Sequence, residues 1–328
     1  LLGLWAHVHR IGHVDYLPSR RVMLATLAAL IALSLFAPAL SNPPANLATT
    51  PGELGMDWFI LFVHPLTDRT SPAIVWSLLF GLTALLFALP LLPHPRPQPA
   101  AVVDAANCTG CDRCLADCPY AAIAMQAHPQ RPGLKLAVVD PDLCASCGIC
   151  AGSCPSSTPF RRQERLATGI DMPQQPVNAL REQLEQALAR LAGRTRIVVF
   201  SCARGADAGF LGATDTAVIP LLCAGMLPPA FVEYALRGGA DGVLLTSCRS
   251  GGCDFRLGER WTGDRLQGRR EPHLRRTVPA ARVLLLATTV HDRSALADSL
   301  ARFRSRLESE ADASDRLPPY HRKASRHA

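Results

Sequence analysis

Eight of the chain's twelve cysteines form two copies of one pattern, and each copy ends in proline. The pattern is C-x2-C-x2-C-x3-C-P, and its members are Cys108, Cys111, Cys114 and Cys118 in the first copy and Cys144, Cys147, Cys150 and Cys154 in the second. Thiolates at this spacing are ligands of [4Fe–4S] clusters, whereas a structural zinc takes one set of four ligands at paired spacing. The two copies therefore predict two [4Fe–4S] clusters.

The spacing also predicts how these cysteines divide between the two clusters. Three cysteines at two-residue intervals wrap a tight loop around one face of a cluster, and the fourth, on a short helix, points away and ligates the other cluster. The first set is accordingly Cys108, Cys111, Cys114 and Cys154. The second set is Cys144, Cys147, Cys150 and Cys118. This exchange would bring the two clusters close enough for electron transfer.

The four remaining cysteines form a third set: Cys202, Cys223, Cys248 and Cys253. Three of them end short apolar runs that predict strands, VVFSC, IPLLC and LLTSC, and the last follows a Gly-Gly turn. The C-terminal ends of parallel strands meet at one edge of a sheet, where sites are built. Four thiolates gathered there predict a [2Fe–2S] cluster. Zinc ligands and small buried cysteines without a metal are the alternatives.

The elements that would position these sets follow from composition and apolar periodicity. The cysteine pattern, with Pro119 and Pro155, resembles the bacterial two-cluster ferredoxin domain, which is expected over 102–160. A connector helix is predicted within 161–194. Strands then alternate with helices over 195–308, which predicts an α/β domain with a mostly parallel sheet. The polar residues 309–328 lack periodicity and are expected to be a disordered tail.

A second family resemblance is carried by CAGMLPPAFVEYALRGGADGVLLTSCRSGGCDFRLGERW, residues 223–261. This stretch resembles the iron–sulfur delta subunit of methyl-viologen-reducing hydrogenases in its Gly-Ala-Asp-Gly-Val segment and in the spacing of its cysteines, with Arg249 where that family usually has His. The resemblance implies electron transfer to or from a hydrogenase-like or heterodisulfide-reductase-like flavoprotein in the cytoplasm. The chain lacks the cysteine pairs that hold nickel in a hydrogenase, so a relay is expected rather than hydrogen activation.

The first 93 residues are predicted to be a membrane domain, joined to the rest by a Pro-rich linker at 94–101. Residues 22–40 and 72–93 contain no Asp, Glu, Lys or Arg and reach the ~20 residues that span a membrane. Buried core helices are the alternative. The preceding residues resemble the end of a third membrane helix. Basic residues before the first span predict a multi-pass protein of the inner (plasma) membrane, with its iron–sulfur domains in the reducing cytoplasm.

The membrane part resembles bc-type cytochrome b in two stretches, PANLATTPGELGMDWFILFVHPL and LLGLWAHVHRIGHVDYLP. The resemblance implies that Asp57, next to Trp58, accepts a proton from quinol and that His7 is a haem b ligand. An interfacial tryptophan beside a helix-starting aspartate, and a neighbouring histidine as the ligand, are the alternatives. The second haem ligand would come from a missing upstream segment or from a cytochrome b-type membrane subunit.

Together these features predict a membrane-anchored electron-transfer subunit between the quinone pool or haem b and a cytoplasmic redox partner. A subunit that reduces a disulfide or sulfur compound at the third set, and a zinc-stabilised membrane scaffold, are the alternatives. The net charge of +7 is modest, and the basic stretch 256–276 lacks a run of interleaved aromatic residues. The expected partners are therefore proteins and membrane lipid, and no nucleic acid.

Overall fold

The computed structural model describes residues 20–38, 48, 64–91 and 99–310. They belong to two compact units, one comprising Leu17–Pro97 and a larger one that contains Gln98–Ala328. In the smaller unit the described helices are α1 (Arg20–Phe36), α2 (His64–Arg69) and α3 (Pro72–Ala88).

The prediction of transmembrane helices is wrong, because the helices that form in the two apolar runs are shorter than the runs. Helices α1 and α3 have 17 residues each. At ~1.5 Å per residue each is about 25 Å long, against ~30 Å for the hydrocarbon core of a bilayer. Pro38 and Pro90 follow the two helices closely, and proline cannot continue a helical hydrogen-bond ladder.

Among the described residues, no helix combines the length and the apolar character that crossing a membrane requires. This finding overturns the transmembrane part of the predicted fold class and the multi-pass membrane localisation that depended on it. The fold that the structure does describe is a small cysteine-rich domain with two antiparallel strand pairs, followed by an α/β domain with a parallel sheet.

The ferredoxin-type domain repeats one small unit, a cysteine loop followed by a short helix. Its elements are β1 (Val102–Val103), α4 (Arg113–Asp117), β2 (Ile123–Ala127), β3 (Lys135–Val139), α5 (Ile149–Ser153) and β4 (Ile170–Asp171). Strands β2 and β3 form an antiparallel hairpin, and β1 pairs antiparallel with β4. Helices α4 and α5 contact each other, so the two cysteine loops that precede them lie on neighbouring parts of one small core.

Helix α6 (Val177–Arg190) connects the two domains. Leu180 and Leu184, spaced four residues apart, are fully buried against the α/β domain, which is the amphipathic pattern that predicts a helix here. Residues 161–176 are not helical, so the helix occupies the second half of the predicted connector.

The α/β domain contains four parallel strands in the order β6-β5-β7-β8. Its elements are β5 (Ile197–Cys202), β6 (Thr216–Leu221), α7 (Ala230–Arg237), β7 (Gly242–Cys248), α8 (Gly258–Leu266), β8 (Val283–Thr288) and α9 (Arg293–Glu310). Val198 and Phe200 of β5 pack on the face covered by α6 and α7, whereas Ile197 and Val199 pack on the face covered by α9. The sheet is therefore covered on both faces, as the uninterrupted apolar strand sequences require.

The strand order creates a crevice at the C-terminal ends of β5 and β7. From β5 the chain goes first to β6 on one side and then to β7 on the other, so the connections leave these two central strands in opposite directions. Ligands of open parallel sheets bind at such a point. Cys202 is the last residue of β5 and Cys248 is the last residue of β7.

Candidate iron–sulfur centres

Both ferredoxin-type loops turn sharply around their second cysteine. Gly110 and Asp112 flank Cys111 with φ of 65° and 60°, and Ser146 and Gly148 flank Cys147 with φ of 57° and 77°. Left-handed backbone is uncommon for residues other than glycine and is a sign of a functional constraint. Alternating right- and left-handed residues turn successive backbone N–H groups towards one point and form an anion-binding concavity. Both loops thus fit the thiolate-rich, negatively charged surface of an iron–sulfur cluster.

The first set comes together at the start of α4 and the end of α5. Burial, together with the negative charges of Cys154, Cys111 and Cys108, raises the pKa of Cys114 to about 12. The Cys154 Sγ lies 3.0 Å from the Ser156 Oγ. The structure therefore brings Cys154 from the second copy to the three cysteines of the first copy, which is the grouping that the spacing predicts.

The second set lines one cavity of about 330 Å³. Its four cysteines, Cys118, Cys144, Cys147 and Cys150, share the walls with apolar side chains that include those of Ile123 and Met172. Burial raises the pKa of Cys147 to about 12 and that of Cys150 well above its usual value, and the neighbouring thiolates add to both effects. Thiols packed this closely are costly to ionise without a counter-charge, and the cationic iron atoms of a cluster would supply one and displace the thiol protons.

The third set gathers at the crevice of the sheet, as the strand-end pattern predicts. Its four cysteines are all buried: Cys202, Cys223, Cys248 and Cys253. The Sγ atoms of Cys202 and Cys248 are 4.0 Å apart. Hydrogen bonds from Cys223 and Cys248 lower the pKa of both Cys202 and Cys253. The sulfurs of Cys202 and Cys253 therefore each neighbour the sulfurs of Cys223 and Cys248. The four sulfur atoms therefore form a ring.

Helix α8, which no sequence pattern singled out, covers the third set. Its first residue is Gly258, and a Cβ atom at this position would overlap the Cys223 sulfur and lie 3.5 Å from the Cys253 sulfur. Glycine is therefore required here by the close approach of the helix backbone to the sulfurs. The sequence did not predict this helix, because its nine residues include two glycines and show little of the apolar periodicity that a packed helix has.

Within the described residues, no three His, Cys, Asp or Glu side chains are arranged to hold a single metal ion. A cluster makes a different demand, because it contains several metal atoms and each has its own cysteine ligands.

The second and third sets meet in one buried cluster. Cys147 of the second set, Ile149 and Cys223 of the third set pack together, with Tyr120 and Trp261 at the margin. Burial raises the pKa of Tyr120 to about 12, and the charges of Cys147, Cys253 and Cys223 contribute. The phenol ring therefore lies within electrostatic reach of both sets.

Polar contacts fasten the two domains around this cluster. The Trp261 indole donates to the Asp117 backbone carbonyl at 3.2 Å, and the Arg256 guanidinium donates to the Pro119 carbonyl at 2.6 Å. The Asp117 carboxylate, next to Cys118, is buried and paired with Arg265 and Arg270. The sequence pattern identified none of these contacts, because their partners are more than 130 residues apart.

The candidate residues of the cytochrome b resemblance lie outside the described residues. These are His7, Asp57 and Trp58. Their assignments to haem b and quinone stay predictions, as does the disordered tail predicted for 309–328, of which only the first two residues are described.

The fold and the grouped cysteines define an iron–sulfur protein with a ferredoxin-type domain followed by an α/β domain. Comparison with known families agrees: residues 107–158 match the 4Fe-4S dicluster domain, and residues 197–309 match the delta subunit of methyl-viologen-reducing hydrogenase. The first match contains the first and second sets, and the second match contains the third set. Neither match reaches residues 1–93, on which the cytochrome b resemblance depends.

Proposed function

We propose that this chain relays electrons through three clusters: a [4Fe–4S] cluster on each of the first two sets and a [2Fe–2S] cluster on the third set. The dicluster domain and the hydrogenase delta-subunit domain support an electron-transfer subunit. The second domain also favours a hydrogenase-like or heterodisulfide-reductase-like partner. Haem b and quinone depend on residues outside the described part of the chain and have no role in this proposal.

The observation that carries the proposal is the contact between the second and third sets. Cys147, Ile149 and Cys223 share one buried apolar cluster, so the proposed ligands of two sites belong to the same packed core. Independent sites would not need their ligands packed together across a domain boundary. A relay does need it, because electrons must pass between centres through protein that excludes water.

The exposure of the cysteines indicates which of the three sets would exchange electrons with the partner protein. All twelve cysteines lie among the described residues, and Cys111 of the first set is the only exposed one. We place the exchange with the soluble partner at the first set for this reason. The second set then lies between the partner and the third set.

The clusters would supply one-electron redox chemistry, and the residues of the chain would hold and insulate them. The cysteines provide thiolate ligands in all three sets. The left-handed turns at Gly110 and Ser146 direct backbone N–H groups towards the first and second sets. Apolar side chains around the second and third sets exclude water, which is one of the factors that set a cluster's reduction potential.

The proposal is tested by metal analysis and EPR of the anaerobically purified chain. Three clusters correspond to about ten irons per chain, with two interacting [4Fe–4S] signals and one [2Fe–2S] signal on stepwise reduction. Cys253→Ser should remove the [2Fe–2S] signal and leave the other two. Zinc without acid-labile sulfide, or loss of a [4Fe–4S] signal in this variant, would overturn the ligand assignment.

One observation favours the second hypothesis, in which the third set acts on a disulfide or sulfur compound. An open cavity of about 1050 Å³ lies at the edge of the sheet and is lined by Cys202, Gly205 and Asp207 among others. Turnover of a small disulfide by the reduced chain alone, abolished by Cys202→Ser, would favour this hypothesis. Electron delivery only to a protein acceptor would favour the relay.

A further inference from the structure

Among the described residues, the guanidinium of Arg265 is a buried cation that contacts residues near both the second and the third set. This side chain is 1% exposed. Arginine stays protonated in proteins, so the positive charge is present even at this depth. An ionised side chain is costly to bury unless it is paired and hydrogen-bonded. The contacts of Arg265 therefore indicate which groups its positive charge stabilises.

Three contacts of the Arg265 guanidinium are to residues that lie within two positions of a cysteine of the second or third set. It pairs with the Asp117 carboxylate, which precedes Cys118. It donates to the Gly225 carbonyl at 2.7 Å, two residues after Cys223, and lies 3.4 Å from the carbonyl of Ile149, which precedes Cys150. These contacts come from both domains.

One hydrogen-bond donor of the Arg265 side chain is not used by these contacts. The buried Nε–H has no hydrogen-bond partner among the described residues. Burial lowers the pKa of Arg265, and the negative charges of Asp117 and Cys223 oppose that effect. Cys223 is therefore within electrostatic reach of a guanidinium whose hydrogen-bonding capacity is not exhausted by Asp117 and the two carbonyls.

The local charges do not cancel. Asp117 is paired with Arg265 and also with Arg270, whose Nε lies 2.8 Å from the Asp117 Oδ1. One carboxylate and two guanidinium groups leave one net positive charge. Arg270 is 25% exposed and stacks over Trp261, whereas Arg265 is enclosed. Water screens the outer charge, so the inner one dominates the field at the two sets.

We propose that Arg265 is a positioning residue whose positive charge is shared by the second and third sets and stabilises an added electron on either of them. This inference rests on the proposed function, because it assumes clusters at these cysteines. A one-electron reductant adds one negative charge to a cluster, and no atom is transferred. A nearby buried cation stabilises that added charge, since reduction potentials depend on local charge and hydrogen bonding.

The test is a redox titration of the intact chain with viologen mediators and dithionite, followed by EPR. Arg265→Gln removes the cation, so the midpoint potentials of the second-set and third-set signals should shift to more negative values. Asp117→Asn removes the anion, so the same potentials should shift to more positive values. The double variant restores the net charge, so both potentials should return towards those of the wild type.

A matched control is Arg270→Gln, which removes the same charge from a partly exposed position and should cause a smaller shift. Arg265→Lys keeps the charge without the planar fork and should keep wild-type potentials. If the single variants fail to assemble their clusters, the lysine and double variants still decide the question. Shifts of the same sign in Arg265→Gln and Asp117→Asn, or a lysine variant as perturbed as the glutamine variant, would overturn the proposal.

The outcomes also separate this inference from the proposed function. A wild-type chain without a third-set signal would refute the third cluster, while the second-set potential would still test Arg265. A wild-type chain with all three signals, whose potentials ignore the charge of residue 265, would refute the inference alone.

Discussion

Replacing Gly258 by alanine should remove the third cluster and leave the other two. A Cβ atom at this position would overlap the Cys223 sulfur. The sulfur belongs to a short side chain with 1% exposure, so it cannot move aside into solvent. Relief requires either that α8 shifts away from the sheet or that Cys223 leaves the ring of four sulfurs. Both changes disrupt the third set, and neither touches the first set.

The magnitude can be worked out because α8 contains a matched control. Gly263 lies in the same helix, and a Cβ there would meet only the Leu285 Cδ2 at 3.8 Å, an ordinary contact. Both substitutions gain up to about 1 kcal/mol of helix propensity. Only Gly258→Ala also incurs overpacking, which costs about 1–3 kcal/mol in a packed core. The unfolding free energies of the two variants should therefore differ by about 1–3 kcal/mol.

The assay combines iron and sulfide analysis, EPR and thermal unfolding. Gly258→Ala should contain about two irons fewer than the wild type, the iron content of one [2Fe–2S] cluster. Its melting temperature should be lower than that of Gly263→Ala by ~2–4 °C for each kcal/mol of difference. A Gly258→Ala protein with an intact third signal and the stability of the control would refute the close packing of α8 on the sulfurs.

Three other substitutions test two separate parts of the structure. Cys154→Ser should abolish the first-set EPR signal, although Cys154 belongs to the second copy of the pattern. Cys118→Ser should abolish the second-set signal, although Cys118 belongs to the first copy. Loss of the opposite signals would refute the exchange of the fourth cysteines between the two copies. Asp215→Asn should lower the unfolding free energy by about 0.5–1 kcal/mol at neutral pH, because it removes the ion pair with Arg304. Arg304 lowers the pKa of Asp215 in the folded protein. The stabilisation is therefore fully present at a pH above the pKa of an unfolded aspartate, ~3.9, and is lost as the pH falls through the lower pKa of the folded state. Denaturation curves of variant and wild type should therefore converge in strong acid, and a difference that persists there would contradict the electrostatic origin.

The cysteine grouping could be predicted because it depends on local geometry. Spacings of two and three residues determine which cysteines can face one cluster, and the left-handed turns at Gly110 and Gly148 are what such spacing needs. Strands β5 and β7 end where the runs VVFSC and LLTSC predict them, and β6 ends at Leu221, two residues before the cysteine that closes the run IPLLC. Strands buried on both faces require such apolar runs. The meeting of the third set followed from the rule that parallel strands end at one edge.

The membrane prediction failed because it counted apolar residues and not helix length. Residues 22–40 include Pro38, and residues 72–93 include Pro90, so each run is longer than the 17-residue helix that forms in it. A proline near the end of an apolar run adds to its count but ends the helix. Weighing these two prolines would have shortened both spans.

By itself, the sequence predicted the grouping of the cysteines into three sets and the parallel sheet of the last domain. These follow from short-range spacing and side-chain periodicity, which are properties of neighbouring residues. Only the tertiary structure decided that the second and third sets adjoin through Ile149, that α8 presses Gly258 against the sulfurs, and that Arg265 is enclosed between the two domains. The contacts of Ile149 with Cys223, of Gly258 with Cys223 and of Arg265 with Asp117 join residues more than 30 positions apart. No local pattern records them, because they exist only once the chain has folded and its domains have packed together.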